Sequence, residues 1–145
     1  MANKMQQKAM HYGLTINNVV ENTEKYQEEL DPLFTALKDK LTANDLASMT
    51  PADYDETRAT FAKRTADYAT LADKLAAAVP PARLMGNQQL LVAAYRDFVA
   101  GCQAMTDSLG PDKKVDEAQF SAAEQQQDAA TEKISKYLQR ITNLV

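Results

Sequence analysis

The stretch FSAAEQQQDAATEKISKYLQRITNL, Phe120–Leu144, decides the fold. Within it Phe120, Ala123, Gln127, Ala130, Ile134, Tyr137, Ile141 and Leu144 follow one another at intervals of 3, 4, 3, 4, 3, 4 and 3. A helix turning once every 3.6 residues returns such positions to one stripe, so this segment carries an unbroken core-facing seam. Upstream, Leu84, Gln88, Leu91, Tyr95, Phe98, Cys102, Met105 and Leu109 repeat the pattern, and Phe61, Thr65, Tyr68, Ala72, Leu75 and Val79 repeat it again. The first third supplies Ile16, Val19, Thr23, Tyr26, Leu30, Leu33, Leu37 and Leu41 in the same phase. Four seams predict four helices, and no alternating run of useful length predicts a strand.

The boundaries carry their own chemistry. Thr50-Pro51-Ala52-Asp53 is a helix start: a hydroxyl cap, a proline at the first helical position and an acid three residues after the cap. Met49 and Tyr54 stand at the flanking staple positions, and Asp116 repeats the logic with Val115 and Phe120 as its staple. Pro80-Pro81 ends the second helix, because neither ring donates a backbone hydrogen bond. Gly110-Pro111 ends the third, with Gly110 expected in the left-handed conformation. The predicted helices run about 4–43, 51–79, 82–109 and 116–144. Asp31-Pro32 interrupts the first, but the seam keeps its phase across it, which predicts a kink rather than a break.

Short connections make sequence neighbours antiparallel. The predicted fold is therefore all-α: an up-down-up-down four-helix bundle with a long first helix, forming one domain over residues 1–145. Phe34, Phe61, Leu91, Phe98, Cys102, Phe120 and Ile134 are its expected core. The segment from Ile16 onward suffices to pair with the second helix, so residues 1–15 form a helical extension. There Met5, Tyr12 and Ile16 continue the apolar stripe, and a second copy of the chain is the expected cover, making a homodimer.

Composition excludes many functions. The chain has 145 residues with one Cys and one His, too few for a disulfide framework or a Cys/His zinc site. The net charge of −4 argues against binding nucleic acid. No apolar run is long enough to span a membrane. The opening MANKMQQKAMHYGLT has no secretion signal, which predicts a cytoplasmic protein, or a cell-surface or secreted one if a leader has been removed.

No constellation points to catalysis. A di-iron bundle needs inward carboxylates and Glu-x-x-His pairs, and these seams contain no acid or histidine, so neither metal nor cofactor is expected. His11 reads as an exposed residue. Cys102 lies between Phe98 and Met105 on a seam, with no histidine to activate it, and reads as a buried, inert thiol. There is no phosphate-binding glycine loop and no nucleophile elbow. Lys133, Lys136 and Arg140 form a short basic stripe that reads as a solvated face.

The tyrosines are the feature without an immediate structural account. Matching levels across the short loops brings Tyr26, Tyr68, Tyr95 and Tyr137 into one mid-bundle zone. A buried hydroxyl requires a partner, and Thr23, Thr65 and Gln88 are the polar seam residues available to provide one. Such a zone either packs as core or lines a ligand cavity between helices.

From Leu75 to Leu138 the chain reads LAAAVPPARLMGNQQLLVAAYRDFVAGCQAM and then, from Val115, VDEAQFSAAEQQQDAATEKISKYL. This resembles small helical-bundle domains of Gram-positive bacteria, in which a proline-containing turn precedes a helix with an aromatic pair like Tyr95 and Phe98. The resemblance implies no activity, cofactor or catalytic residue. The expected function is a non-enzymatic interaction or structural module. The alternative is a small-molecule binder using a cavity lined by Tyr26, Tyr68, Tyr95 and Tyr137.

Overall fold

The computed structural model describes residues 3–144. Four helices dominate it: α1 (Lys4–Thr42), α2 (Pro51–Ala77), α3 (Met85–Ser108) and α4 (Glu117–Leu144). Single 3-10 turns at Leu46–Ser48, Ala82–Leu84 and Pro111–Lys113 fill the connections. Among the described residues there is no strand, only one isolated bridge between Leu109 and Val115. No described helix is long and apolar enough to cross a membrane.

The expected caps are in place. The Thr50 hydroxyl accepts from the Asp53 amide at 3.1 Å, and the Asp116 carboxylate accepts from the Gln119 amide at 3.0 Å. The staple residues Met49, Tyr54 and Phe120 are buried. α1 runs through Asp31-Pro32 without a break. Its own start is a capping box of Asn3 and Gln6, whose side chains each accept from the other's backbone amide.

Hydrogen bonds at the two ends establish the antiparallel order. At one end the Tyr12 hydroxyl of α1 donates to Gln88 of α3, and the Gln88 amide donates to the Leu75 carbonyl of α2 at 2.8 Å. At the other the Tyr54 hydroxyl of α2 donates to the Gly110 carbonyl after α3 at 2.6 Å, and Lys113 reaches the Met49 carbonyl at 2.9 Å.

Four expectations are corrected here. First, the expected extension of residues 1–15, of which residues 1 and 2 lie outside the described residues, belongs to the bundle from Tyr12 onward. Tyr12 is 2% exposed and Ile16 8%, both inside their own bundle and therefore not available to a second copy. The bundle reaches further than the seams imply, because α2 stops at Ala77 and the extended chain through Pro81 carries Leu84 and Gln88 down to the level of Tyr12. Met5 remains exposed, as do Met10 and Leu14. Second, Val79 does not belong to the second seam. Proline disfavours helix in the residue before it, and Val79 stands outside α2 at 63% exposure. Third, Gly110 is extended, with φ −77°, and the left-handed positions are Asp112 and Lys113. Gly110 is needed for another reason: its amide donates to the Lys114 carbonyl at 2.7 Å, and a Cβ would lie 2.6 Å from that oxygen. Fourth, of the expected core, Phe61, Leu91, Phe98, Cys102 and Phe120 are buried, but Phe34 and Ile134 are only half-buried.

Phe34 and Ile134 share a cause. The backbones of α3 and α4 approach closely along much of their length. Gly101 makes this possible, since a Cβ there would sit 2.9 Å from the Gln127 side chain and 3.3 Å from its backbone nitrogen. The α1–α2 and α2–α3 pairs also meet backbone to backbone, whereas α1 and α4, which close the ring, hardly do. Side chains bridge that gap at one level, where Phe34 stacks on Phe120 with centroids 5.8 Å apart and Lys38 pairs with Glu124 at 2.7 Å. Elsewhere the gap is a cleft.

Candidate functional site: the cleft between α1 and α4

The cleft has two lobes. The first, of about 140 Å³, is apolar, with Ile16, Val20, Leu91, Phe98, Ile134 and Leu138 in its lining. The second, of about 340 Å³, lies nearer the Phe34–Phe120 bridge and is mixed, with Phe34, Tyr68, Cys102, Thr106, Gln127 and Asp128 among its walls. Both lobes are lined by Gln27, Phe98 and Thr131, so they lie side by side along the gap.

The tyrosines divide three ways. Tyr68 lines the second lobe and Tyr95 the first, each with its ring edge-on to Phe98 at centroid distances of 5.1 Å and 5.9 Å. Tyr26 packs edge-on against Tyr68 at 5.8 Å and is covered by the Arg64 guanidinium at 4.5 Å, so it backs the wall without lining the cleft. Tyr137 is apart from all three, in a shallow groove on the outer side of α3 and α4 with Leu90, Arg96 and Lys133. Three residues beyond cleft-facing Ile134 the helix falls about 60° short of a full turn, which swings Tyr137 toward α3. Lys136 and Arg140 of the basic stripe flank its ring at 5.8 Å and 5.6 Å.

Hydrogen bonding separates the two cleft tyrosines. The Tyr95 hydroxyl pairs with Thr23 at 2.7 Å, and Thr23 in turn donates to the Val19 carbonyl. The Tyr68 hydroxyl has no partner, although Tyr68 is 1% exposed. The other polar seam residues are engaged structurally: Thr65 with Thr106 at 3.2 Å, Gln88 with Tyr12 and Leu75, and Gln127 with the Gly101 carbonyl at 3.1 Å. Those bonds tie neighbouring helices in one register, and none of them involves Tyr68.

Burial holds the cleft's weak acids neutral. It pushes the Cys102 thiol and the Tyr95 hydroxyl each up to about 12, and the Tyr68 hydroxyl further still. None is a nucleophile or base near neutral pH. His11 is exposed on α1, away from both lobes. Among the described residues no three His, Cys, Asp or Glu side chains converge as a metal site. What the cleft offers is chiefly apolar and aromatic surface.

Its rim is acidic. Glu24 lines the first lobe, and Asp31, Glu124 and Asp128 the second, with no Lys, Arg or His in either. Glu124 is paired with Lys38, while Asp31 and Asp128 are exposed. These residues are absent from the seams, yet they have a sequence signature. Val20, Glu24, Gln27 and Asp31 each follow a seam residue of α1, and Glu124, Asp128, Thr131, Ser135 and Leu138 each follow one of α4. A position one residue on lies 100° around the helix, so a second stripe beside each seam faces the gap.

No family model matches this chain, and neither the curated proteins nor the solved structures include a significant match.

Proposed function

We propose that the chain is a non-catalytic binding module that takes a small, largely apolar molecule into the α1–α4 cleft. The observation that carries this is the cleft itself, whose second lobe, of about 340 Å³, has among its lining residues Tyr68, a tyrosine with a buried hydroxyl that has no partner. An unmet hydroxyl in the interior costs about 1–3 kcal/mol, a cost that a core with no further purpose avoids by using Phe. A bound molecule with one polar group satisfies the hydroxyl while its apolar part fills the first lobe. The lack of an activated base or nucleophile in either lobe supports binding without turnover.

The test is an amide chemical-shift titration of the 145-residue chain with 1-octanol. Shifts concentrated on α1 and α4 residues such as Val20, Gln27, Thr131 and Ile134 are expected. Saturating shifts confined to the outer groove around Tyr137, or no saturable shift at millimolar alcohol, overturn the reading.

A further inference from the structure

We infer that one end of the bundle docks on the surface of an anionic lipid bilayer, independently of the cleft. It is the end at which α1 and α3 begin and α2 and α4 finish. Charge is segregated along the bundle axis. Residues 1–20, 74–96 and 133–145 contain eight of the 16 Lys and Arg and none of the 20 Asp and Glu. The antiparallel order gathers the described parts of these segments into one half of the molecule. Tyr12, Gln88 and Leu75 are joined there by hydrogen bonds, and the Arg83 guanidinium donates to the Leu144 carbonyl at 3.0 Å. The boundary is level across the bundle: Lys74 bonds Asn18, and Gln126 bonds Asp97 just beyond it. Of the eight bases only Arg96 is ion-paired among the described residues, with Asp73 at the boundary. Lys4, Lys8 and Arg83 are exposed nearest the tip, and Lys133, Lys136 and Arg140 are exposed along α4.

Basic residues on a surface do not by themselves name a partner. The second observation is that all seven exposed large hydrophobic side chains of the described residues lie in this same half. Met5, Val79, Met85 and Leu144, which are 72%, 63%, 52% and 47% exposed, stand beyond the Tyr12–Gln88 level, at the tip itself. The two observations together select the occupant. A bilayer with acidic headgroups takes apolar side chains into its interface and holds lysine and arginine by its surface potential. Nucleic acid matches the charge but leaves the apolar side chains in water. A second copy meets like charge when placed tip to tip. Placed tip to tail, it offers an acidic half with no exposed large hydrophobic side chain to cover the first. That acidic half is repelled by the bilayer, which stands the molecule on its basic end.

The experiment is co-sedimentation of the full chain, at low ionic strength, with vesicles of phosphatidylcholine alone or with about 30% phosphatidylserine. Binding to the anionic vesicles should be at least about tenfold tighter than to the neutral ones, and should weaken as salt is raised. Lys4→Gln/Lys8→Gln and Met5→Ser/Met85→Ser should each weaken it by about tenfold. Lys25→Gln/Lys63→Gln, exposed in the acidic half and equal in charge change to the lysine pair at the tip, should leave it within about twofold. Equal binding to both vesicles, or binding to neither, overturns the assignment. Binding of poly-glutamate without binding of anionic vesicles also overturns it, and gives this end to an acidic protein instead. A loss in the Lys25/Lys63 variant as large as in the Lys4/Lys8 variant means that the basic end is not what docks. Unchanged binding by the Met5/Met85 variant means that the apolar tip does not enter the lipid, and overturns the assignment as well.

Discussion

Tyr68 and Tyr95 lean edge-on against the same ring, Phe98, yet the Tyr95 hydroxyl is paired with Thr23 at 2.7 Å and the Tyr68 hydroxyl is paired with nothing. Both are buried, so exposure does not distinguish them. The difference is local. Thr23 on α1 stands within reach of α3, whereas no hydrogen-bonding group reaches the hydroxyl of Tyr68 on α2.

The Tyr12–Gln88 bond makes the first helix part of the core, and its removal is measurable. Tyr12→Phe leaves a buried Gln88 oxygen without its donor, which should cost about 1–3 kcal/mol in chemical denaturation. Met5→Ser, at a position 72% exposed, should change stability by less than about 0.5 kcal/mol. Equal effects would mean that Tyr12 does not lie in the core.

Two glycines of helical segments should respond in opposite directions. At Gly13 a new Cβ meets nothing within 4 Å, so Gly13→Ala should raise stability by about 0.5–1 kcal/mol through helix propensity. At Gly101 even a Cβ crowds the Gln127 backbone, so Gly101→Val should lower stability by about 1–3 kcal/mol as α3 and α4 are forced apart. Thermal melts of the two variants decide it. A neutral Gly101→Val would show that the α3–α4 approach is not tight.

Stability should also fall in alkali. Burial raises Tyr12, Tyr95 and Cys102 each to about 12 from ordinary values of 10, 10 and 9, and raises Tyr68 and Tyr54 as well. These groups are neutral when protonated, so below pH 9 the folded and unfolded chains hold the same protons on them and stability does not change on their account. Between pH 9 and about 12 the unfolded chain releases protons that the folded chain retains, so stability falls as pH rises. Melting temperature followed from pH 8 to 11, with tyrosinate absorbance, should show loss of fold and ionisation together. Full tyrosine ionisation with the helices intact would contradict the burial.

How much of this was legible in the sequence follows from what each signal reports. Seam spacing and the Thr50 and Asp116 caps are local, and they place the four helices to within a few residues. The level of Tyr12 was not legible. It depends on the path of Ala78–Pro81 outside a helix, and periodicity says nothing about how far an extended turn travels. Tyr68 and Tyr95 were recognisable as a mid-bundle pair, but Tyr137 was misplaced because a seam position does not say which of two neighbouring helices it faces. The acidic rim was written in the sequence as the residues following each seam position on α1 and α4. It becomes readable only once those two helices are known to splay, and that is set by Gly101 and Gln127 drawing α4 toward α3.

The most direct test of the claim that Tyr68 keeps its hydroxyl for a ligand is the melting temperature of Tyr68→Phe without ligand. Removing an unpartnered buried hydroxyl while keeping the ring should stabilise the protein by about 1 kcal/mol, or about 3 °C, and should weaken octanol binding in the same preparation. A Tyr68→Phe protein that melts lower than the wild type would mean that the hydroxyl already has a partner within the fold, and would contradict the account.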